Sequence, residues 1–277
     1  MKSQKPIVIV IGGPTASGKT GLSIALAKEI NGQIISADSM QIYKDMNIGT
    51  AKVTKEEMKG IKHYLIDRVY PNERYSVAQF KEDAEKAIRT ILEEGKVPIV
   101  VGGTGLYINS LIYNIHYEDT KIDEEYRKFL EKRVEEEGLE TLYQEAKAID
   151  EEATRKISER DQKRILRILE LYHQTGKTKT QLEIESRKEE PKYDYRVFGL
   201  HWEREVLYDR INQRVNQMLK QGLIQEVETI WKKYKEFPTA MQGLGYKEVV
   251  QYLKEEVSYE EMEENIKRES RRYAKRQ

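Results

Sequence analysis

The sequence contains no cysteine among its 277 residues. This absence excludes a disulfide framework, a thiolate metal site and a cysteine nucleophile. An excess of charge of either sign is also missing, because 48 Lys and Arg residues are balanced by 48 Asp and Glu residues. The whole molecule therefore has no basic field that would indicate a nucleic-acid partner, and any contact with RNA must depend on local patches.

Long apolar runs are absent as well. The N-terminal segment PIVIVIGG is too short to span a membrane and ends in glycine, so it indicates neither a signal peptide nor a membrane partner. We expect a cytoplasmic protein. The chain is 38% hydrophobic, which is enough for one sizeable α/β core and a smaller second lobe.

Short apolar strands alternate with helical patterns in the first part of the chain. The predicted strands are residues 6–12, 33–36, 63–69 and 97–101. The predicted helices are residues 19–31, with Leu22, Leu26 and Ile30 at helical spacing, and residues 77–94, which Ser76 and Gln79 begin as a capping box. This alternation predicts an α/β fold with a doubly wound parallel sheet of the P-loop NTPase type.

The pattern changes at about residue 118, where highly charged helical segments without strand signals begin and continue to about residue 190. Residues 195–202 again resemble a strand, and amphipathic helices follow, with Leu207, Ile211, Val215 and Met218 on one face. The sequence thus predicts a core formed by residues 1–117 and 191–277, with C-terminal helices, and an inserted helical domain at 118–190. The insert and the C-terminal helices are the places where a macromolecular substrate could be bound.

The strongest local signal is GPTASGKT at residues 13–20, which satisfies G-x-x-x-x-G-K-[ST] between a predicted strand and a predicted helix. In such a loop, backbone N–H groups and a helix N-terminus enclose a diphosphate, Lys19 adds a positive charge and Thr20 reaches a magnesium ion. ATP, GTP and an allylic diphosphate all present suitable oxygens. The strand at 97–101 is followed by Gly-Gly-Thr and offers no Walker-B carboxylate, which makes a nucleotide hydrolase less favoured.

Asp38 is the carboxylate best placed to serve this loop. It follows the second predicted strand, and the carboxyl ends of parallel strands converge on one crevice. The loop context alone favours a turn or capping aspartate.

Several blocks together resemble one family, the tRNA dimethylallyltransferases, also called tRNA isopentenyltransferases. The similarity runs through most of the chain. The blocks are GPTASGKT at 13–20, SADSMQIYKDMNIGTAK at 36–52, VGGTGLYINSL at 101–111, DQKRILRILE at 161–170, RINQRVNQMLKQGLIQEV at 210–227, GLGYKE at 243–248 and SRRYAKRQ at 270–277. The blocks at 36–52 and 101–111, in this order, are highly specific for the family.

The resemblance implies a magnesium ion, dimethylallyl diphosphate as donor, and the adenosine 3′ of the anticodon as acceptor, flipped into a channel that the donor enters from the other end. It implies a diphosphate site formed by Gly13, Pro14, Thr15, Ala16, Ser17, Gly18, Lys19, Thr20 and Arg214. It implies contacts with the tRNA anticodon stem-loop by Asp38, Ser39, Met40, Gln41, Thr104, Arg127, Lys163, Arg164 and Arg167. Asp38, Thr20, Lys19 and Arg214 are the expected catalytic residues, with Asp38 accepting the amine proton and Thr20 binding the metal. A monomer is favoured.

Two departures from the family pattern stand out. Lys163 occupies a position where many relatives carry Gln, so it suits a phosphate contact better than base reading. Relatives typically continue with a Thr-Trp-Phe-Arg-like segment after the position of Gln277, and here the cluster Arg271, Arg272, Lys275 and Arg276 lies close to the last residue.

From the residues alone, simpler interpretations remain open. Arg210 and Arg214 lie one helical turn apart beside an apolar stripe, as residues on a solvated helix edge do. Arg164 and Arg167 are three apart on one helix, where a phosphate site and a plain surface are comparable interpretations. For the whole chain, the alternatives to tRNA transfer are a P-loop small-molecule or nucleotide kinase and a non-catalytic RNA-binding NTPase switch.

Overall fold

The computed structural model describes residues 5–117, 123–187 and 189–277. The chain forms two compact units, one made of residues up to Ile112 together with Pro191–Gln277, and one made of Tyr113–Glu190. The sequence-based boundary at residue 118 lies outside the described residues. No described helix combines the length and the apolar character needed to cross a membrane.

The first unit is built on a five-stranded sheet in the order β3-β2-β4-β1-β5, with every neighbouring pair parallel. Its strands are β1 Ile7–Gly12, β2 Gly32–Ser36, β3 His63–Tyr64, β4 Val97–Gly102 and β5 Asp194–Gly199. Successive side chains of β1 point to opposite faces, so Val8 and Val10 enter one hydrophobic core while Ile11 enters another. The predicted α/β fold with a parallel sheet is confirmed.

Eight helices of four or more residues accompany the sheet in the described part of the first unit. They are α1 Lys19–Glu29, α2 Lys55–Met58, α3 Val77–Glu93, α4 Gly105–Ile112, α10 Arg204–Gln221, α11 Leu223–Lys233, α12 Tyr246–Leu253 and α13 Tyr259–Arg276. The helix α3 begins with the predicted capping box, since Ser76 Oγ accepts the Gln79 N–H at 3.2 Å and Gln79 Oε1 accepts the Ser76 N–H at 2.8 Å. On α10, Leu207, Ile211 and Val215 are buried as predicted.

The second unit contains helices only, as far as the structure describes it. They are α5 Glu124–Glu137, α6 Leu139–Ile149, α7 Glu151–Thr154, α8 Gln162–Thr175 and α9 Lys179–Glu185. The unit has its own apolar core, in which Leu130 of α5, Leu142 of α6 and Ile165 of α8 are fully buried.

Two sequence-based details were wrong. The third strand was predicted over 63–69, but β3 ends at Tyr64 because Leu65 and Asp67 have positive φ angles of 61° and 54°, which turn the chain out of the sheet. Only an isolated bridge to Tyr43 marks Val69. On α1, Leu22 is 46% exposed, whereas Ser23, Ile24 and Ala27 form the buried face. Apolar residues lie on several sides of this helix, so the spacing of Leu22, Leu26 and Ile30 alone did not identify the face that packs against the core.

Candidate active site

The P-loop connects β1 to α1 with a backbone that few sequences allow. Gly13, Ala16 and Gly18 have φ angles of 149°, 62° and 90°. Such left-handed positions turn consecutive N–H groups toward one side, which forms an anion-binding concavity at the N-terminus of the following helix. A Cβ atom on Gly13 would lie 3.1 Å from the Leu200 carbonyl oxygen, so glycine at this position also lets the loop pass close to the backbone of Leu200.

Two side chains from the C-terminal part of the first unit hold this loop from outside. Trp202 Nε1 donates to the Ser17 carbonyl at 2.9 Å, and Arg210 Nε donates to the Ala16 carbonyl at 2.8 Å. The Arg210 guanidinium also lies 4.7 Å from the centre of the Trp202 ring. Fixing these carbonyls fixes the peptide planes that carry the N–H groups of Ser17 and Gly18. Arg210 is therefore not a solvated edge residue, and Trp202 had no sequence signal that marked it.

Three charged groups meet at the mouth of the loop. Lys19 Nζ donates to the carbonyls of Gly13 at 2.7 Å and Pro14 at 2.6 Å. Burial lowers the pKa of Lys19 to about 8, an effect that Asp38 opposes and Arg214 reinforces. Burial likewise lowers the pKa of Arg214, and Asp38 again opposes the shift. The structure thus brings Asp38, Lys19 and Arg214 together, although 176 positions separate Asp38 from Arg214 in the sequence.

The segment after β2 that carries Asp38 is held by hydrogen bonds within itself and to Thr104, which follows β4. Asp38 Oδ1 accepts the N–H groups of Met40 at 2.8 Å and Gln41 at 3.3 Å, so this carboxylate does form a turn, as the simpler interpretation held. Thr104 Oγ1 accepts the Ser39 N–H at 3.0 Å. The sequence-predicted residues from Asp38 to Gln41 and Thr104 therefore lie side by side.

Helix α13 and the residue that follows it supply two side chains that sequence reasoning missed, Tyr273 and Gln277. Gln277 Oε1 accepts the Thr15 N–H at 2.8 Å, and Gln277 Nε2 donates to the Gly103 carbonyl at 2.9 Å. Burial and the charge of Asp38 raise the pKa of Tyr273, an effect that the nearby side chains of Thr104 and Gln277 oppose. The SRRYAKRQ block was the signal that could have found them. Two arginines of this block form ion pairs, Arg271 with Glu264 and Arg272 with Glu269.

The second unit holds the remaining sequence-predicted residues. Arg127 and Lys163 line one groove of about 600 Å³, together with Glu131, Ser158, Arg160, Asp161, Gln162 and Leu166. Arg127 and Arg167 each reach the buried carboxylate of Glu170 at 3.4 Å. Arg164 is not among the groove residues; its side chain is 68% exposed and pairs with Asp161 at 3.4 Å. Glu170, which sequence reasoning missed, therefore pairs with two of the four sequence-predicted cations of this unit, Arg127 and Arg167.

Comparison with known proteins decides the family. The IPP transferase family model matches residues 41–277. The chain belongs to this family. It is 55% identical over 271 residues to the tRNA dimethylallyltransferase of Acetivibrio thermocellus, which covers 98% of this chain and 87% of that protein. It is 48% identical over 274 residues to the tRNA dimethylallyltransferase of Bacillus cereus, with coverage of 99% and 86%.

Solved structures of the family share the fold. The full-length tRNA isopentenylpyrophosphate transferase of Bacillus halodurans is 43% identical and superposes with a TM-score of 0.71, covering 99% of this chain and 86% of that one. A eukaryotic dimethylallyltransferase, solved acting on tRNA, is 33% identical with a TM-score of 0.79, covering 98% and 68%.

The lowered pKa of Lys19 generates a prediction about anion binding. In the ligand-free protein Lys19 is protonated below about pH 8 and neutral above it. A bound diphosphate favours the ammonium form, so binding above that pH must take up a proton. We expect the Kd for inorganic diphosphate to rise up to about tenfold per pH unit as the pH increases above 8, measured by calorimetry from about pH 7 to about 9.5.

Two variants distinguish the pH dependence caused by Lys19 from the pH dependence caused by protonation of the diphosphate itself. Lys19→Met should bind diphosphate weakly and keep only the pH dependence that the diphosphate itself contributes. Lys28→Met, a change at an exposed lysine on the same helix, should match the unaltered protein. Identical pH slopes for the unaltered protein and Lys19→Met would contradict the assignment.

Proposed function

We propose that this protein transfers a dimethylallyl group from dimethylallyl diphosphate to the exocyclic amine of the adenosine 3′ of the anticodon in tRNA, releasing diphosphate. Membership of the IPP transferase family supports tRNA as the substrate class. The observation that carries the proposal is the meeting of two half-buried cations, Lys19 and Arg214, with the carboxylate of Asp38 beside the P-loop.

The donor end of the site suits a leaving diphosphate. The exocyclic amine of adenine is a poor nucleophile because its lone pair is delocalised into the ring, so the reaction needs help in breaking the carbon–oxygen bond. In this proposal the loop N–H groups, Lys19 and Arg214 bind the diphosphate where negative charge grows as that bond breaks. Because both cations are already partly desolvated, their attraction to the anion is stronger than it would be in water.

A magnesium ion fits this donor end. The described residues contain no group of three or more Asp, Glu or His side chains that could hold a metal by themselves. Magnesium commonly binds through only one or two protein ligands together with substrate phosphates and water. Thr20, exposed in the first turn of α1, is the residue that would contact the ion. When bound, the ion would neutralise charge on the diphosphate.

The acceptor end is formed by Asp38 and its neighbours. As the new carbon–nitrogen bond forms, the amine must lose one proton, and a carboxylate within hydrogen-bond reach can orient the amine and accept that proton. Asp38 Oδ1 is used by the N–H groups of Met40 and Gln41. Its other oxygen, Oδ2, accepts no hydrogen bond from the residues that the structure describes, so Oδ2 is the atom proposed to face the amine.

The target adenosine cannot reach this crevice while stacked in RNA, so it must be flipped out of the stack. We propose that Ser39, Met40, Gln41 and Thr104 contact it and its neighbours. We further propose that Arg127 and Lys163 bind tRNA phosphates from the helical unit, and that Arg164 and Arg167 assist them. All of these groups come from one chain, which is consistent with action as a monomer, and a tRNA substrate is consistent with a cytoplasmic enzyme.

The direct test is incubation of the protein with labelled dimethylallyl diphosphate, magnesium and unmodified tRNA. Label in the RNA, lost when the acceptor adenosine is replaced by guanosine, is the expected result. Phosphorylation of a small molecule from ATP would instead indicate a kinase, and nucleotide-dependent RNA affinity without transfer would indicate a switch. A folded protein that transfers no label under these conditions would overturn the proposal.

Replacing Asp38 by Asn should slow the chemical step by about 10²–10⁴-fold while both substrates still bind, because the amide keeps the shape but loses the charge and the basicity. Single-turnover transfer with saturating substrates is the measurement, since steady-state rates can report product release. The assay belongs near pH 7, because Asp38 also raises the pKa of Lys19 and the variant must keep that lysine protonated.

Asp45→Asn is the matched control for this variant. Asp45 lies in the same segment but pairs with Lys233 at 2.7 Å on the surface, so its transfer rate should stay within a few-fold of the unaltered protein. An Asp38→Asn rate equally close to the unaltered protein would make Asp38 a turn residue and assign the proton to another group.

Replacing Arg127 by Gln should weaken tRNA binding and lower the slope of log affinity against log salt by roughly 0.7–0.9 units, as expected for one lost phosphate contact. Affinity for inorganic diphosphate should not change. Filter binding of tRNA at several salt concentrations measures both the tRNA affinity and its salt slope. Arg155→Gln changes an arginine of the same unit that is 72% exposed and pairs with Glu151, so it should bind tRNA normally. An unaltered slope for Arg127→Gln would argue for a purely structural pair with Glu170.

A further inference from the structure

Glu226 is a partly buried carboxylate in the first turn of α11, and the proposed chemistry gives it no role. Its Oε2 accepts the N–H groups of Asn47 at 2.9 Å and Ile48 at 2.8 Å. Its Oε1 accepts the Gly49 N–H at 3.1 Å and the Tyr246 hydroxyl at 2.6 Å. Three consecutive backbone N–H groups therefore surround one carboxylate, as they would surround a bound anion.

These four hydrogen bonds are the strong kind, because their acceptor is charged. Tyr246 is 1% exposed, and burial together with the charge of Glu226 raises its pKa, so the phenol stays protonated and remains a donor. No Lys or Arg forms an ion pair with Glu226 in the described ranges. The hydrogen bonds that stabilise this carboxylate thus come from the turn and from the tyrosine.

The turn also packs against the elements that carry these two residues. A Cβ atom on Gly49 would lie 2.5 Å from Tyr246 Cε2 and 2.9 Å from Leu223 Cδ1, so no other side chain fits there. A Cβ atom on Gly243 would lie 2.4 Å from Met40 Cε. The segment 36–52 is therefore in contact with both the QGLIQEV and the GLGYKE parts of the sequence.

Hydrogen bonds continue from this turn to the residues proposed to contact the adenosine. Within the turn, the Ala51 N–H donates to the Ile48 carbonyl at 2.9 Å. The Gln41 side chain donates from Nε2 to the carbonyls of Thr50 at 3.3 Å and Ala51 at 3.4 Å. The backbone N–H of Gln41 donates in turn to Asp38 Oδ1 at 3.3 Å. A set of hydrogen bonds, connected through the covalent chain of residues 48–51 and of Gln41, thus links Glu226 to the carboxylate of Asp38.

We propose that Glu226 is a positioning residue: its carboxylate folds the 47–51 turn, and this turn holds the Gln41 side chain and the Asp38 carboxylate in the geometry that the acceptor needs. The catalytic consequence rests on the proposed function, whereas the folding of the turn does not. The P-loop has its own supports in Trp202 and Arg210 and does not depend on this set of hydrogen bonds.

The test uses two variants and one control of the full chain. Glu226→Ala removes both acceptor oxygens. Glu226→Gln keeps the shape but presents one acceptor and one donor, so it can serve either the Asn47 and Ile48 pair or the Gly49 and Tyr246 pair, and its effect should be intermediate. Glu228→Ala removes a carboxylate from the same helix that pairs with Lys232 and is 42% exposed, so it should behave as the unaltered protein.

Three measurements are needed. Amide hydrogen exchange at residues 47–49 should accelerate at least about tenfold in Glu226→Ala and less in Glu226→Gln. Single-turnover transfer to tRNA at saturating substrates should fall about 10–100-fold in Glu226→Ala. The Kd for inorganic diphosphate should stay within about twofold, because the donor cradle is supported separately. A large loss of transfer with an unchanged Kd for diphosphate is not expected from a general loss of stability.

Each other outcome overturns the inference. Faster exchange with unchanged transfer would reduce Glu226 to a stabilising contact of no catalytic consequence. Equal losses of transfer and diphosphate affinity would mean that the whole unit is disturbed. Unchanged exchange would mean that the turn forms without the carboxylate. If the unaltered protein transfers no prenyl group, the proposed function fails, and the exchange measurement still decides whether Glu226 folds the turn.

Discussion

The contact between Gly102 and Ala37 is the constraint on which the rest of the site depends. A Cβ atom on Gly102 would lie 2.0 Å from the Ala37 carbonyl oxygen, so only glycine lets the ends of β2 and β4 approach this closely. The same carbonyl accepts the Thr104 N–H at 3.2 Å, and the Ala37 N–H donates to Val101 at 2.7 Å. As a result, Asp38 and Thr104 leave the sheet side by side and face the loop that follows β1.

The charges around that loop are arranged at a cost in folding. Burial disfavours the ammonium of Lys19 and the guanidinium of Arg214, and Asp38 offsets only part of this effect for each. Without a ligand, Lys19 satisfies its hydrogen bonds on the carbonyls of Gly13 and Pro14. A diphosphate would supply the missing negative charge. In the proposed function the site is thus preorganised for an anion at the expense of stability, which is a common property of functional sites.

Local patterns in the sequence were enough for the sheet, the P-loop and the position of Asp38, because each depends on neighbouring residues or on the general convergence of parallel strands. They were not enough for Trp202, Gln277 or Glu226. These residues act through contacts with segments far away in the chain, and no local pattern around them indicates which segments they contact. The third strand was predicted too long for a similar reason. The turn at Leu65 and Asp67 is fixed by hydrogen bonds from residues 67–69 to Gln41 and Ile42, which no local pattern reveals.

Asp38 links the two ends of the proposed reaction. Its Oδ1 organises the segment that would receive the adenosine, and its charge favours the protonated form of Lys19 in the donor cradle. While Asp38 is ionised, Lys19 holds its proton more readily and is better prepared for a diphosphate. In the proposed reaction, Asp38 would accept a proton from the amine, and its support of the Lys19 ammonium would then weaken as the diphosphate gains its full negative charge. The newly formed anion would then have to sustain the protonation of Lys19 by itself. The proposed protonation of Asp38 and the proposed departure of diphosphate would thus be coupled through Lys19.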